Sequence, residues 1–178
     1  VNVDMIVQAS ASTGTADISF TVPGSAAARG RDVLQEKQDE LGYRSFDMDA
    51  NVGKGAVVGN STELKNVVLF DSVQVPHYNY VGDSVLGYKA HFGAGVITSN
   101  VKGDKSLVVV KAGGELYPTN RKKVGALAGD FAEVGCNSVL NPGTIIGRRG
   151  RIYPLCSVRG FVPEGHLLKN NGACSPQE

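Results

Sequence analysis

The chain has no tryptophan, only two methionines, and three cysteines with no CxxC spacing among them. The odd, scattered set of Cys136, Cys156 and Cys174 argues against a disulfide framework or a zinc knuckle. It is read as fitting a reducing, cytoplasmic setting, with Cys136 and Cys156 as small packed side chains. An excess of one charge is also missing. Eighteen Lys and Arg against 17 Asp and Glu leave a net charge of +1, so no nucleic-acid footprint is expected. No apolar run reaches the roughly 18 residues of a membrane-spanning helix, and no membrane partner is expected. A charged and apolar leader is absent too. The chain opens on Val1 in a strand-like run, which reads as a processed, truncated or engineered N-terminus. A length of 178 residues suits one or two domains with a real core.

What is present is glycine, 23 residues of it, among many Val and Ile. Between Ala128 and Val158 every sixth residue is aliphatic: Ala128, Val134, Leu140, Ile146, Ile152 and Val158. Gly129, Gly135 and Gly147 follow three of them. A period of six matches neither a helix nor a long strand. It predicts a parallel β-helix of hexapeptide repeats, in which three hexads close a triangular coil and the aliphatic residues stack inside. With one-residue slips the same rhythm runs through Leu64, Leu69, Val75, Val81, Leu86, Phe92 and Ile97. The fold class expected is mainly β.

Residues 1–57 have another character. Residues 1–8 read as a strand, 9–16 as a polar hairpin loop, and 17–22 as a second strand with Ile18, Phe20 and Val22 on one face. After Pro23-Gly24, Ser25 is placed to cap a helix that runs through residues 32–41 and ends at Gly42. Further strands are expected at 45–48 and 56–58, giving the order ββαβ. The runs VNVDMIVQ, GTADISFTVP, LQEKQDELGY and DANVGKGAVVG resemble the ACT regulatory domain of aspartate kinase. That resemblance implies an effector site for lysine or threonine lined by Gln8, whose plainer reading is a solvated strand-end residue. The family's first strand and first helix have no counterpart in this sequence.

The segments VGNSTELKN, VPHYNYVGDS, HFGAGVITSNVKGD, RKKVGALAGD, VGCNSVLNPGTIIG and IYPLCSVRG resemble a second family. They are similar to the left-handed β-helix domain of bifunctional sugar-1-phosphate nucleotidylyltransferase/acetyltransferases, including archaeal-type enzymes that accept glucosamine-1-phosphate and galactosamine-1-phosphate. The resemblance implies left-handedness, a homotrimer and acetyl-CoA as co-substrate. It implies His77 as general base, suited by an imidazole that titrates near neutrality, and Asn100 as the residue that orients either the acceptor or the acetyl carbonyl. Lys65 and Tyr80 would hold the sugar phosphate, with Lys65 as a cation for the phosphate group. Ala94 and Cys136 would lie against the pantetheine arm, and Cys136 is not expected to act as a nucleophile. His91 stands where the bacterial enzymes carry an asparagine, and it is grouped with the acceptor site. The segment 98–123 interrupts the hexads and is rich in Lys and Arg. It resembles a protruding loop that reaches a neighbouring subunit, with Lys105 among its cations for the cofactor phosphates.

On the residues alone each position keeps a plainer reading. His77 is then a surface or packed histidine, Tyr80 a corner aromatic, Lys65 a solvated charge and Asn100 a turn residue. The cationic loop reads equally as solvated charge. His77, His91 and His166 do not match the three-histidine zinc sites of hexapeptide carbonic anhydrases, so no metal is expected. The sequence shows no glycine-rich pyrophosphorylase loop, and the resemblance implies earlier coils with an arginine for the sugar phosphate, in whose place the ACT-like half is expected.

The organisation expected is therefore an ACT-like module over 1–57, a β-helix over 58–169 and a flexible tail over 170–178, a chimeric pairing of two families. Three functions follow: an N-acetyltransferase for a hexosamine-1-phosphate, an amino-acid-sensing ACT module, or an inactive structural composite. Three-fold packing of the β-helix combined with two-fold pairing of ACT-like halves would give a hexamer.

Overall fold

The computed structural model describes residues 50–177 together with the backbone of Ser45–Phe46. Most of the expected ACT-like module, including Gln8, lies outside the described residues; of it, only Ser45–Phe46 and residues 50–57 are described.

The described residues form a parallel β-helix and contain no helical segment, hence none long and apolar enough to cross a membrane. Short strands of successive coils pair in parallel register, and their inward residues stack in three columns. Val52, Leu69, Leu86, Ala128, Ile146 and Val162 make the first. Val58, Val75, Phe92, Val134, Ile152 and Leu168 make the second. Leu64, Val81, Thr98, Leu140 and Val158 make the third. All six expected aliphatics from Ala128 to Val158 are buried. Each fully buried Val, Leu or Ile side chain contributes about 1.5–3 kcal/mol, so this continuous stack supplies the main driving force.

One expected core residue is misplaced. Ile97 is 40% exposed, and Thr98 takes the inward position at 0%. The reason is backbone satisfaction. The Thr98 hydroxyl accepts the buried N–H of Gly82 at 2.7 Å and lies 3.2 Å from the Gly82 carbonyl, which also accepts from Ser84 Oγ at 2.6 Å. Thr98→Val keeps the shape and removes the acceptor. It should destabilise the protein by about 1–3 kcal/mol, read from the shift of its denaturant midpoint.

The coil stack starts before residue 58, because Ala50 and Val52 already belong to the buried core and Asn51–Val52 pairs with Val68 and Leu69. The expected strand at 56–58 is observed as Val57–Asn60. At the other end, Cys174–Pro176 pairs antiparallel with His166–Leu168, where a flexible tail was expected. Gln177 secures it, its Nε2 donating to the carbonyls of Arg149 and His166 at 2.7 and 3.1 Å. This returning strand covers the open edge of the last coil, a site otherwise free to pair with another chain.

The insertion is a hairpin, Val109–Ala112 against Glu115–Pro118, turned at Gly113 and Gly114, which take φ of 60° and 84°. Those angles fit a two-residue hairpin turn with both central residues left-handed. Its base packs on its own chain. Val108 and Val110 are buried, and a Cβ added to Gly143 would lie 3.1 Å from Val108. Leu107 and Leu116 remain exposed.

Candidate functional site

Each corner of the β-helix turns through a left-handed residue, and one such corner carries Ser61, Tyr78, Gly95, Asn137 and Leu155. The residues just before these turns stack into a ridge. Gly95 N–H donates to the His77 carbonyl at 3.0 Å, and Asn137 N–H donates to the Ala94 carbonyl at 2.8 Å. His77, Ala94 and Cys136 therefore follow one another along the ridge. The imidazole of His77 and the thiol of Cys136 are exposed, and Gly93, Ala94 and Gly95 leave the ridge low between them. A Cβ on Gly93 would meet Cys136 Sγ at 2.9 Å, so glycine is required for the sulfur to sit where it does.

Behind this ridge lies Asn79, almost fully buried and fully used. Its Oδ1 accepts the N–H of His77 at 3.1 Å, and its Nδ2 donates to the carbonyls of Gly93 at 2.8 Å and Val96 at 3.3 Å. One side chain thus ties the His77 turn to the next coil. This explains how Tyr78 is held at φ 54°, a conformation unusual for a bulky residue.

The face leaving this ridge begins with Tyr80, and its side chain runs to the following corner. There Asn100 Nδ2 donates to the Tyr80 hydroxyl at 3.3 Å and to Asp83 Oδ2 at 2.5 Å. The other carboxylate oxygen of Asp83 accepts from Asn66 Nδ2 at 2.7 Å. Lys65, exposed, pairs in register with Gly82 at the same corner, and among the described residues it forms no ion pair. Lys65, Tyr80 and Asn100 are thus gathered around one corner. His77, Ala94 and Cys136 occupy the corner at the other end of the face.

Two expected residues stand apart from both groups. His91 pairs with Gln74 and Glu133 on the preceding face, and its Nδ1 lies 2.8 Å from Glu133 Oε2. Lys105 sits in the inserted segment at φ 58°, exposed, without an ion pair among the described residues. The neighbouring Lys102 is spent on Ser106 and Asp104. His166 Nδ1 is engaged by the Glu164 carbonyl at 2.8 Å. Among the described residues no three His, Cys, Asp or Glu side chains cluster as a metal site. Cys136 and Cys174 are exposed thiols, whereas burial pushes the Cys156 thiol up.

Sequence reasoning missed Asn79 and Asp83. Asn79 left a weak trace, a polar residue inside a strand-like run. Asp83 left a stronger one: Asn66, Asp83 and Asn100 recur at a spacing of 17, the length of one upstream coil.

No protein-family model matches the chain. It is 37% identical over 112 residues to a bifunctional sugar-1-phosphate nucleotidylyltransferase/acetyltransferase of Sulfurisphaera tokodaii, covering 63% of this chain and 28% of that protein. It is 36% identical over 119 residues to the bifunctional protein GlmU of Methanococcus maripaludis, covering 66% and 29%. The chain thus spans under a third of the length of these curated relatives. Among solved structures, the acetyltransferase domain of PglB from Neisseria gonorrhoeae, in complex with acetyl coenzyme A, matches with a TM-score of 0.58 at 17% identity, over 85% of this chain and 67% of that one. A mutant perosamine N-acetyltransferase from Caulobacter crescentus, in complex with CoA and GDP-perosamine, matches with a TM-score of 0.57 at 16% identity, over 85% and 67%. The fold is the left-handed β-helix of these acetyltransferases.

Proposed function

We propose that this β-helix is an acetyl-CoA-dependent N-acetyltransferase domain acting on a hexosamine-1-phosphate, glucosamine-1-phosphate or galactosamine-1-phosphate, and that it works as a homotrimer. One observation carries the reading. A single face joins the His77, Ala94 and Cys136 ridge to the Lys65, Tyr80 and Asn100 corner, in a chain 37% identical over 112 residues to a bifunctional sugar-1-phosphate nucleotidylyltransferase/acetyltransferase.

The low ridge of Gly93, Ala94 and Gly95 suits a thin pantetheine arm, with the exposed Cys136 side chain beside it. Lys105 and its neighbours on the inserted segment supply positive charge for the phosphates of the co-substrate. Lys65 and the Tyr80 hydroxyl take the sugar phosphate. His91, held by Glu133 on the preceding face, is given no role at this corner.

The reaction needs a neutral amine. Its nitrogen attacks the thioester carbonyl carbon, a C–N bond forms and the C–S bond breaks. His77 takes the proton released by the nitrogen and returns it to the departing thiolate. Direct transfer makes no use of Cys136 as a nucleophile.

The test is release of free thiol from acetyl-CoA in the presence of either amino sugar phosphate, run beside alkylation of the cysteines. Turnover is expected. Acetyl-CoA should slow modification of Cys136 and leave Cys174 unaffected, with Cys156 reacting only on unfolding. Absence of both turnover and Cys136 protection would refute the reading. Protection without turnover would mean a retained cofactor ridge without a working acceptor site.

A further inference from the structure

We infer that Asp83 is a positioning residue that fixes which end of the Asn100 amide faces the acceptor; this rests on the acetyl-transfer reading above. An amide side chain can present its carbonyl oxygen or its NH2, and the two ends do different chemistry. The oxygen accepts an N–H from an attacking amine. The NH2 donates to a carbonyl oxygen that gathers negative charge. The surroundings of Asn100 decide between them.

Asp83 lies beside Asn100 with both carboxylate oxygens engaged. Oδ2 takes Asn100 Nδ2 at 2.5 Å, and Oδ1 takes Asn66 Nδ2 at 2.7 Å. An ionised carboxylate only accepts, so the end of Asn100 that faces it must be the NH2. The same nitrogen also reaches the Tyr80 hydroxyl at 3.3 Å. Both polar neighbours are therefore spent on Nδ2, and among the described residues the Asn100 Oδ1 has no donor. That oxygen is left for the acceptor amine, one of whose N–H bonds it takes. Asn100 then orients the nucleophile and does not stabilise the oxyanion.

The backbone supports this role. Asp83 and Asn66 both sit at corner turns with φ of 48° and 51°, a conformation Asp and Asn adopt more readily than most residues. Two consecutive coils thus deliver their corner side chains to the third, and the carboxylate is braced from the side away from Asn100. Asn66 is exposed, so its amide turns over at little expense.

The test compares Asp83→Gly, Asp83→Asn, Asn100→Ala and the double variant Asp83→Gly/Asn100→Ala. Glycine accepts the positive φ and preserves the turn, which an unchanged thermal midpoint verifies. Asp83→Gly should lower kcat about 10–100-fold, the scale of a small misplacement of a reacting group, with KM for acetyl-CoA unchanged. Asp83→Asn should retain most activity, because the new side chain offers its oxygen to Asn100 and its NH2 to a turned Asn66. In the Asn100→Ala background, Asp83→Gly should cause no further loss. Independently of turnover, the side-chain NH2 resonances of Asn100 should exchange faster with solvent in Asp83→Gly than in the wild type.

Wild-type activity in Asp83→Gly, an equal loss in both backgrounds, or unchanged Asn100 exchange each overturns the proposal. An inactive wild type overturns the acetyl-transfer reading and the positioning role with it, a result distinct from an active wild type that ignores Asp83.

Discussion

Gly59→Ala should destabilise the protein by about 3 kcal/mol or more, the upper end for overpacking a tight site. The residue lies in the strand Val57–Asn60, which pairs with Gln74–His77. A Cβ there would sit 1.5 Å from the Pro76 carbonyl oxygen and 2.7 Å from its Cα. These are backbone atoms, so no side-chain rotation relieves the clash and the two coils must part. Pro76 precedes His77, so any surviving folded protein should also lose turnover. Gly103→Ala is the control: a Cβ there meets nothing within 4 Å, and its thermal midpoint should match the wild type. A Gly59→Ala variant as stable as Gly103→Ala would show that the coils do not approach as closely as described.

His77→Ala should lower kcat by about 10²–10⁴-fold, the range contributed by a positioned general base. Stability should hold. The imidazole is exposed, and Asn79 grips the His77 backbone N–H, which alanine retains. The loss should therefore appear in turnover and leave the unfolding midpoint in place. This separates His77 from Asn79, whose removal takes the acceptor from the His77 N–H and one of two donors from each of the Gly93 and Val96 carbonyls. Full activity in His77→Ala would remove the residue from the mechanism. A collapse of the fold would assign it a structural role.

Ile97 and Thr98 show where reading the sequence went astray. An aliphatic residue one step short of the hexad looked like the better core candidate than a threonine in step. Hydrophobicity favours isoleucine, but the coil interior also holds backbone groups that need partners, and the threonine hydroxyl meets the N–H of Gly82. The boundary near residue 58 misled similarly. Ala50 and Val52 continue the stack, but their stretch is too short to display a repeat.

Asp83 failed to register for another reason. A carboxylate in a run of glycine and serine looks like any surface charge. Only the coil length of 17 brings it beside Asn66 and Asn100. His77, Tyr80 and Asn100 were visible as residues of a recognisable pattern, but nothing in their order told that Tyr80 and Asn100 would be bonded to each other or that His91 would be held by Glu133, 42 positions away.

The sequence by itself determined the repeat and the inward columns. Nearly every inward column position is apolar, Thr98 being the exception, so the period of the pattern is the period of the fold. The tertiary structure decided which outward side chains meet. Those contacts join residues a whole coil or an insertion apart, and their register is set by strand pairing and corner geometry that no local run of residues contains.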